Sequence, residues 1–477
     1  MAILTEVETT REDASRTLAA NVVDTTFKSL SEAAVQATKN DILDTLGVIV
    51  AGSTFSGGAE ILALGREFGG APQSTVLAFG DKVPAPIAAF TNATMGHALD
   101  YDDTHDKALV HVGPAAVSSS LALSERAGGV DGKSFITAVA LGADLISRLG
   151  LATTWSIHEA GWMFTSLYGY FGSAAASSKI LGLNEQEIVN AFGIAYAQSA
   201  GNLQVNIDDE HALTKRLQVG FAARGGLWAA LLAQKGMNGA QHSLEGRWGM
   251  YNLFQQGHYD RATLLDGLGE HFEVVNLSYK PFSCCRQIHG HVDAALQLRE
   301  KYNLKPEEIK SVTTFVNRDP HPLVDPLDMR RHPTEEVIAQ FSIPYSVGVA
   351  LAYGKVLIKD FTLPHLGDEA VIAIAEKVSP QFDPSIPTRS VPPARIQITT
   401  YDGRVLDSGV LPIAKGHPDH PMSWDELADK FRDCCSHSAG KLESDAVERA
   451  IELCANLETV GNINELVQLL VPASNPA

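Results

Sequence analysis

Apolar residues recur at every third or fourth position through the first half of the chain, which is the spacing of helices with a buried face. The spacing predicts helices at LSEAAVQATKNDILDTLGVIVAG, KSFITAVALGADLISRLG, NEQEIVNAFGIAYAQSAGN and GSAAASSKILGL. The last of these is rich in Ala and Gly, whose small side chains let packed helices approach closely. We therefore predict a helical region from about Thr26 to Gly269.

Alternating polar and apolar positions follow the segment YKPFSCCR, and such alternation indicates strands. SVTTFVNR and RIQITT are rich in β-branched residues, and YDGR is typical of a hairpin turn. The segment TEEVIAQFSIPYSVGVALAYG, which lies between them, has a helical pattern. Helix returns at PMSWDELADKF, where Ser423 and Glu426 are spaced as a capping box.

These patterns predict a mainly α protein with two domains, which is the usual number for a chain of 477 residues. Residues 1–273 and 411–477 would form a large all-helical domain built from both ends of the chain. Residues 274–410 would form a smaller, inserted α+β domain.

Charge and cysteine content narrow the classes of function. The formal net charge of −19 argues against a nucleic-acid partner, because phosphate binding needs a basic surface. A small anionic substrate is compatible with it, since a few Lys and Arg side chains can reverse the charge inside a cleft. The 5 cysteines do not indicate a disulfide framework. Because the N-terminus lacks a signal-peptide pattern and no apolar run reaches roughly 18 residues, we expect a cytoplasmic protein without a membrane partner.

The densest group of titratable residues lies in GHALDYDDTHDKALVHVGP. If the first half of this segment were helical, His97, Asp100 and Thr104 would share one face, because successive residues are about 100° apart. Asp102 and Asp103 would then point elsewhere. One polar face of this kind could line a cleft.

The Gly-Pro pair at the end of the segment is expected to end or bend the element, which would place His105, Asp106 and His111 in or near a loop. His105 and Asp106 are similar to the paired metal ligands of HD-type phosphohydrolases, so a metal-dependent hydrolase is one interpretation. Zinc is less favoured, because the chain has neither an HExxH nor a CxxC motif. A solvated helix end, with Asp side chains capping turns, is the plainer alternative.

Six segments occur in a familiar order over nearly the whole chain: ILDTLGVIVAG, NATMGHALDYDDTH, FGSAAASSKILGL, TKRLQVGFAARGGLWAALLAQKGMNGAQHSLEGRWGM, YKPFSCCRQIH and AQFSIPY. Together they resemble the MmgE/PrpD family, which contains 2-methylcitrate dehydratase, cis-aconitate decarboxylase and iminodisuccinate epimerase. The resemblance implies a helical domain with an α+β lid domain, a homodimer, and an active site in the cleft between the domains. It also implies that small di- and tricarboxylates react without a metal or an organic cofactor.

The resemblance carries candidate site residues over to Asp100, Thr104, His111, Lys215, Lys280 and Tyr345. Each has an ordinary alternative, since the lysines could lie on the surface and the tyrosine in the core. Two positions depart from the decarboxylase, because Met163 and Cys285 stand where it has catalytic histidines. This argues against decarboxylation by that set of histidines. His158 lies near Met163 but out of register, and His97 is expected to be a packed helix residue.

The reactions of this family pass through a carbanion or enediolate beside a carboxylate. They need an acid or base at carbon, cations for the carboxylates, and exclusion of water. His111 is the first candidate for the acid or base, because its ordinary pKa lies near neutrality. Asp100 would orient His111, or act as the base itself if burial raised its pKa. Lys215, Lys280 and Arg286 are the candidates for carboxylate binding.

Dehydration also requires an acid that protonates the departing hydroxyl, which could be Lys215, Tyr345 or His111. Epimerisation instead requires two acid or base groups on opposite faces of one carbon. Cys285 could be one of them if Lys280 and Arg286 lowered its pKa, although it could equally pack at the start of the following helix.

The leading hypothesis is a cofactor-independent hydro-lyase for a small hydroxylated polycarboxylate, similar to 2-methylcitrate dehydratase. The alternatives are an epimerase of an iminodisuccinate-like diacid, an enzyme similar to cis-aconitate decarboxylase, and a carboxylate-binding homologue without catalysis. We expect no metal in the site.

Overall fold

The computed structural model describes residues 12–206, 213–318, 321–387 and 391–473. Residues 1–11 lie outside this description. They include the first part of the N-terminal segment in which the sequence shows no signal-peptide pattern.

Helices dominate the chain up to residue 265, as the apolar spacing predicts. They are α1 (Ala14–Asp24), α2 (Glu32–Gly52), α3 (Gly58–Phe68), α4 (Ala85–Gly96), α5 (Gly113–Arg126), α6 (Gly132–Ala152), α7 (Ile157–Ala160), α8 (Phe164–Leu181), α9 (Glu185–Tyr196), α10 (Thr214–Gln234), α11 (Met250–Phe254) and α12 (Arg261–Leu265). The four helices predicted by the spacing correspond to α2, α6, α8 and α9 and are confirmed. A short antiparallel pair, β1 (Ser74–Thr75) and β2 (Lys82–Val83), lies between α3 and α4.

Helix α8 lies at the centre of this bundle and packs against α5, α6, α9 and α10. Its residues from Phe164 to Ser178 are all buried, which explains why apolar and small residues occur on every side of it. Gly226 of α10 is required where the two helices cross, because a Cβ there would lie 2.5 Å from the Cβ of Ser173. Small residues therefore set how closely these helices pack.

Helix α6 has the length and the apolar composition of a membrane span, with a mean hydropathy of 1.6. However, 94% of its apolar window is buried inside the protein. The helix also contains the buried ion pair between Asp144 and Arg148. These are the properties of a core helix.

The segment after residue 285 forms the predicted α+β region. Its helices are α13 (His289–Tyr302), α14 (Leu327–Arg331), α15 (Glu336–Gln340), α16 (Ile343–Tyr353) and α17 (Glu369–Ala375). Its strands are β3 (Ile309–Val316), β4 (Val378–Phe382), β5 (Arg395–Thr400) and β6 (Val405–Asp407), in the order β4-β3-β5-β6. Strand β4 is parallel to β3, and the other pairs are antiparallel. The two predicted strands and the predicted YDGR hairpin are confirmed, as the N–H of Thr400 donates to the carbonyl oxygen of Arg404 at 3.0 Å.

The single helical pattern predicted for TEEVIAQFSIPYSVGVALAYG is two helices, α15 and α16. Ser342 lies between them and caps α16, since its hydroxyl accepts the N–H of Tyr345 at 3.0 Å. Pro344 in the first turn of α16 cannot continue the preceding helix, because it lacks an N–H. The chain ends in α18 (Trp424–Ser436), α19 (Ser444–Ala455) and α20 (Asn464–Leu469), and the capping box of Ser423 and Glu426 is confirmed.

Buried apolar residues form two large clusters, which agree with a mainly α fold that carries a small α+β part. One cluster runs from Ala14 to Tyr279 and resumes at Met422, and the other runs from Phe282 to Leu406. The domain boundaries at 273 and 410 stay predictions.

Arg148 holds the segment that leads from the helical region to the α+β region. Its guanidinium pairs with Asp144 at 2.8 Å and donates to the carbonyl oxygens of Asp266 at 2.7 Å and His271 at 2.6 Å. Asp144 in turn accepts the N–H of Glu273 at 2.8 Å. Because both charges are buried, removal of either leaves the other without compensation.

We expect Arg148→Leu to lower the free energy of unfolding by about 3–5 kcal/mol, because the Asp144 carboxylate stays buried without its partner. The midpoint of urea denaturation, followed by circular dichroism, measures this change. Arg449 pairs with Glu452 on the surface, so Arg449→Leu is the matched control and should cost less than about 1 kcal/mol. Equal midpoints for the two variants would contradict the role given to Arg148.

Candidate active site

A cleft that is lined by residues of both regions contains two adjoining chambers of about 440 Å³ and about 250 Å³. We call the larger the outer chamber and the smaller the inner chamber. Both are lined by His97, Asp100, His158, Lys215, Cys285 and Arg318, among others. Thr104, His111, Lys280 and Arg286 line the outer chamber only. The structure thus brings together seven of the eight predicted site residues.

The segment between α4 and α5 is a loop, so the assumption that its first half is helical is wrong. Helix α4 ends at Gly96, and Asp100 has a φ of +49°, in the left-handed region that few residues other than glycine adopt. Helical spacing therefore does not apply after His97. As a result Asp102, which the helical pattern placed away from the cleft, contacts the same group of side chains as Asp100.

Side chains from distant parts of the chain fix this turn by hydrogen bonding its carbonyl oxygens. Gln340, Lys280 and Lys430 donate to the carbonyl oxygens of residues 99, 100 and 101, at 3.0, 2.6 and 2.7 Å. A second donor, the hydroxyl of Ser283, reaches residue 99 at 2.9 Å. The left-handed turn is thus held by contacts that become available only in the folded protein.

Two lysines pair with the buried carboxylate of Asp100. Lys215 Nζ donates to its Oδ1 at 2.9 Å, and Lys280 Nζ lies 3.4 Å from its Oδ2. Burial raises the pKa of Asp100, but the two lysines outweigh burial and hold the pKa far below its ordinary value. Asp100 is therefore a permanent carboxylate, which contradicts the idea that burial would make it a base.

The carboxylate of Asp102 lies between two histidines. Its Oδ2 lies 2.7 Å from His97 Nδ1 and 3.0 Å from His111 Nδ1. Burial raises the pKa of Asp102, but the two histidines outweigh it and keep the pKa well below its ordinary value. On its other side His97 Nε2 lies 3.2 Å from Lys215 Nζ, and burial lowers the pKa of His97 to about 4. His97 is therefore a neutral link between the two carboxylate centres.

Asp103 caps the helix that follows the loop. Its carboxylate accepts the N–H groups of Val112 at 3.0 Å and Gly113 at 2.9 Å. Gly113 and Pro114 thus begin α5, whereas we predicted that they end an element; proline suits the first turn of a helix. A Cβ on Gly113 would lie 2.1 Å from Thr45 Oγ1, so this close approach requires glycine.

Asp106 engages two of the predicted substrate-binding residues. Thr104 Oγ1 donates to its Oδ1 at 2.7 Å, and the guanidinium of Arg286 lies 3.2 Å from its Oδ2. Ser278 Oγ also donates to Oδ2, at 3.0 Å. Thr104 and Arg286 therefore line the outer chamber, and both already contact the carboxylate of Asp106.

His105 has a structural role. Its Nδ1 accepts the N–H of Ala108 at 3.1 Å, and its Nε2 lies 3.1 Å from Glu273 Oε2. Both ring nitrogens are thus engaged, as is the carboxylate of Asp106. These contacts give no support to the interpretation of the pair as metal ligands.

Another group, His97, Asp102 and His111, could by donor type hold a metal ion, since its ligand atoms lie within 4.8 Å of one another. However, both rings approach one carboxylate oxygen at the distances of hydrogen bonds. The ammonium of Lys215 lies next to this group, so a metal cation would meet a like charge. The arrangement fits proton sharing better than a divalent cation.

Cys285 lines both chambers, but its pKa moves in the direction opposite to the one that a role as acid or base would need. Burial raises the pKa of the thiol to about 11, and the charge of Asp100 adds to this rise. Lys280 acts the other way, but more weakly. The thiol is therefore a poor source of thiolate.

Tyr345 is the predicted site residue that the structure does not bring to the cleft. It is fully buried in the apolar cluster of the α+β region, and its hydroxyl donates to the carbonyl oxygen of Asp360 at 2.7 Å. These contacts make it a core tyrosine with a satisfied hydroxyl.

Several residues that line the cleft were not found from the sequence. His158, which the sequence placed near Met163 but out of register, lies on the short helix α7 and lines both chambers, and burial lowers its pKa. Arg318 and Arg330 come from segments that carry no recognisable motif. Their positions depend on how the α+β region folds back, which residue spacing does not show.

Comparison with known proteins gives relatives of two kinds. The chain is 27% identical to cis-aconitate decarboxylase of Homo sapiens over 462 residues, which is 94% of this chain and 92% of that protein. It is 28% identical to cis-aconitate decarboxylase of Aspergillus terreus over 428 residues, 84% of each chain. It is 24% identical to 2-methylcitrate dehydratase of Cupriavidus necator over 257 residues, 51% of this chain and 52% of that protein.

Two family models match the chain in succession. The model of the MmgE/PrpD N-terminal domain matches residues 16–262, and that of the MmgE/PrpD C-terminal domain matches residues 282–458. The first match includes Asp100, His111 and Lys215, and the second includes Cys285. The expectation drawn from the six segments is confirmed, and the chain belongs to the MmgE/PrpD family.

Proposed function

We propose that this protein is a lyase that acts on a small hydroxylated di- or tricarboxylate by moving a proton at the carbon next to a carboxylate. The observation that carries the proposal is a cluster in which Asp102 Oδ2 lies within 3.0 Å of two histidines, beside an Asp100 carboxylate paired with two lysines. Relatives that are decarboxylases and dehydratases support the reaction class. Among lyase reactions we place dehydration first.

His111 is the group best placed to carry the proton. Asp102 lies 3.0 Å from its Nδ1, which leaves Nε2 for a substrate in the outer chamber. A carboxylate at this distance stabilises, by its charge, the imidazolium that forms when the ring takes a proton. His97 does not compete for that proton near neutral pH, because burial lowers its pKa to about 4.

Lys215 and Lys280 supply the positive charge that an enediolate needs. An ammonium has three N–H donors, and Asp100 and His97 accept two of those of Lys215. The third can therefore bind a substrate carboxylate or protonate a departing hydroxyl. Burial lowers the pKa of Lys280, but Asp100 and Asp102 outweigh it and raise the pKa, so this lysine stays charged.

Decarboxylation is the second candidate. The human and Aspergillus terreus cis-aconitate decarboxylases match 94% and 84% of this chain, against 51% for the dehydratase of Cupriavidus necator. His158 lines both chambers and could deliver a proton to carbon in place of the histidine that Met163 replaces. The epimerase alternative is weakened, since its proposed second base, Cys285, has a raised pKa.

Incubation with 2-methylcitrate in D2O is expected to give alkene signals in proton NMR spectra, because dehydration creates a carbon–carbon double bond. Citrate, cis-aconitate and iminodisuccinate stereoisomers are tested in parallel. Release of CO2 from cis-aconitate would favour decarboxylation over dehydration. Deuterium at the α-carbon with inversion and no alkene would reject the lyase in favour of the epimerase.

The same assay with chelator-treated protein serves as a control for the donor group of His97, Asp102 and His111. We expect full activity after chelation. Activity that is lost and then restored by a divalent metal would contradict the assignment of this group to proton sharing.

His111→Asn is expected to lower kcat by at least about tenfold, and by up to about 10⁴-fold, because it removes the acid or base. Asp102→Asn should also lower kcat with little change in KM, because the amide cannot stabilise an imidazolium at His111. His332 is an exposed histidine of the α+β region, so His332→Asn is the control and should keep the kcat of the unmodified protein. A normal kcat for the His111 variant would remove this residue from the mechanism.

Cys285 is expected to resist iodoacetamide at pH 8. With a pKa of about 11, only about one thiol in a thousand is ionised at that pH, and the thiolate is the reactive form. Mass spectrometry of the treated protein measures alkylation, with glutathione as the reference thiol. Rapid alkylation of Cys285 together with loss of activity would return this thiol to the mechanism.

A further inference from the structure

Arg330 lines the inner chamber, and the proposed mechanism does not use it. It lies near the end of the short helix α14, and 6% of its surface is exposed. Among the residues that the structure describes, no group accepts a hydrogen bond from its Nε or its Nη1. An arginine this deeply buried is normally paired, because removing a cation from water is costly.

The other buried cations of the cleft differ from Arg330 in this respect. Arg286 pairs with Asp106 at 3.2 Å. Asp325 lies close enough to stabilise the charge of Arg330, but its Oδ2 accepts the N–H of His321 at 2.7 Å instead. The guanidinium of Arg330 therefore keeps donors that no protein group of the described chain uses.

The walls around Arg330 are mostly apolar. They include Leu323, Val337 and Phe341, and the amide of Gln340 is already bound to the carbonyl oxygen of residue 99. Charge attraction is stronger in such surroundings than in water, because the local dielectric constant is low. A chamber of about 250 Å³ has room for a small anion and not for a macromolecule.

We infer that Arg330 binds the distal carboxylate of the substrate, the one remote from the carbon at which His111 moves a proton. The inference rests on the proposed function and adds the residue that holds the second carboxylate, with one carboxylate of the substrate in each chamber. A guanidinium donates strong, charge-assisted N–H···O bonds to a carboxylate. Asp100 and Lys215 line both chambers, so one small molecule can extend past them from one chamber to the other.

The test measures binding of tricarballylate, a saturated tricarboxylate without a hydroxyl to lose, by isothermal titration calorimetry. Arg330→Met is expected to weaken this binding at least about tenfold, and Arg330→Lys to weaken it less, because lysine keeps the charge but not the paired donors. Butyrate, with one carboxylate, should bind weakly to every variant. Arg449→Met removes the same charge on the exposed face of α19 and should bind tricarballylate like the unmodified protein.

Thermal denaturation separates a binding role from a structural one. If the role of Arg330 is to bind a ligand, the Arg330→Met substitution should not lower the denaturation midpoint of the ligand-free protein, because the substitution removes an unpaired buried charge. The rise in midpoint that tricarballylate causes in the unmodified protein should be lost. Unchanged tricarballylate affinity in the folded variant overturns the inference. If the Met variant does not fold, unchanged affinity of the Lys variant overturns it.

Failure of this inference can be told apart from failure of the proposed function. Tricarballylate binding that depends on Arg330, without alkene formation from any substrate tested, would keep the inference and reject the lyase. Alkene formation with an unchanged KM in Arg330→Lys would keep the lyase and reject the inference.

Discussion

The cost of burying charge is the constraint on which the rest of this structure depends. Asp100 lies in the cleft as a carboxylate because Lys215 and Lys280 both pair with it. One lysine comes from α10 and the other from the segment that leads into the α+β region, so the two ion pairs bring these distant parts of the chain to one loop. Asp102 lies between two histidines instead, of which His97 is neutral and His111 faces the outer chamber.

Regular elements were predictable from the sequence because they depend on local spacing. Helices α2, α6, α8 and α9 and strands β3 and β5 follow their apolar periods, and the capping box at Ser423 needs only its neighbours. The loop after α4 was not predictable. Asp100 has a left-handed backbone conformation, although it is not a glycine, so the residue type gives no sign of the turn. The donor to the carbonyl oxygen of Tyr101 lies 329 residues away, so local spacing does not show that contact either. A helical pattern therefore placed Asp102 on the wrong side.

The position of a residue in a motif also does not determine its charge state or the direction of its side chain. Lys280 lies near Cys285 as its place in the motif suggests, yet burial and Asp100 outweigh the lysine and raise the pKa of the thiol. Tyr345 matches a family position but packs its hydroxyl on a backbone carbonyl in the core. Arg330 carried no motif and proved to be the cleft cation without a protein partner at its Nε and Nη1 among the described residues. Such properties arise from the surroundings of a residue in the folded chain.

The contact made by Lys430 affects when, during synthesis, the loop between α4 and α5 can gain all of its hydrogen bonds. Its ammonium bonds the carbonyl oxygen of Tyr101, pairs with Asp44 at 2.7 Å and lies over the Tyr101 ring at 3.9 Å. Helices near the N-terminus can form while translation continues. The loop that carries Asp100 gains its last donor only when α18 has left the ribosome. In a chain that ends before α18, the early helices can therefore form around a loop that lacks this donor.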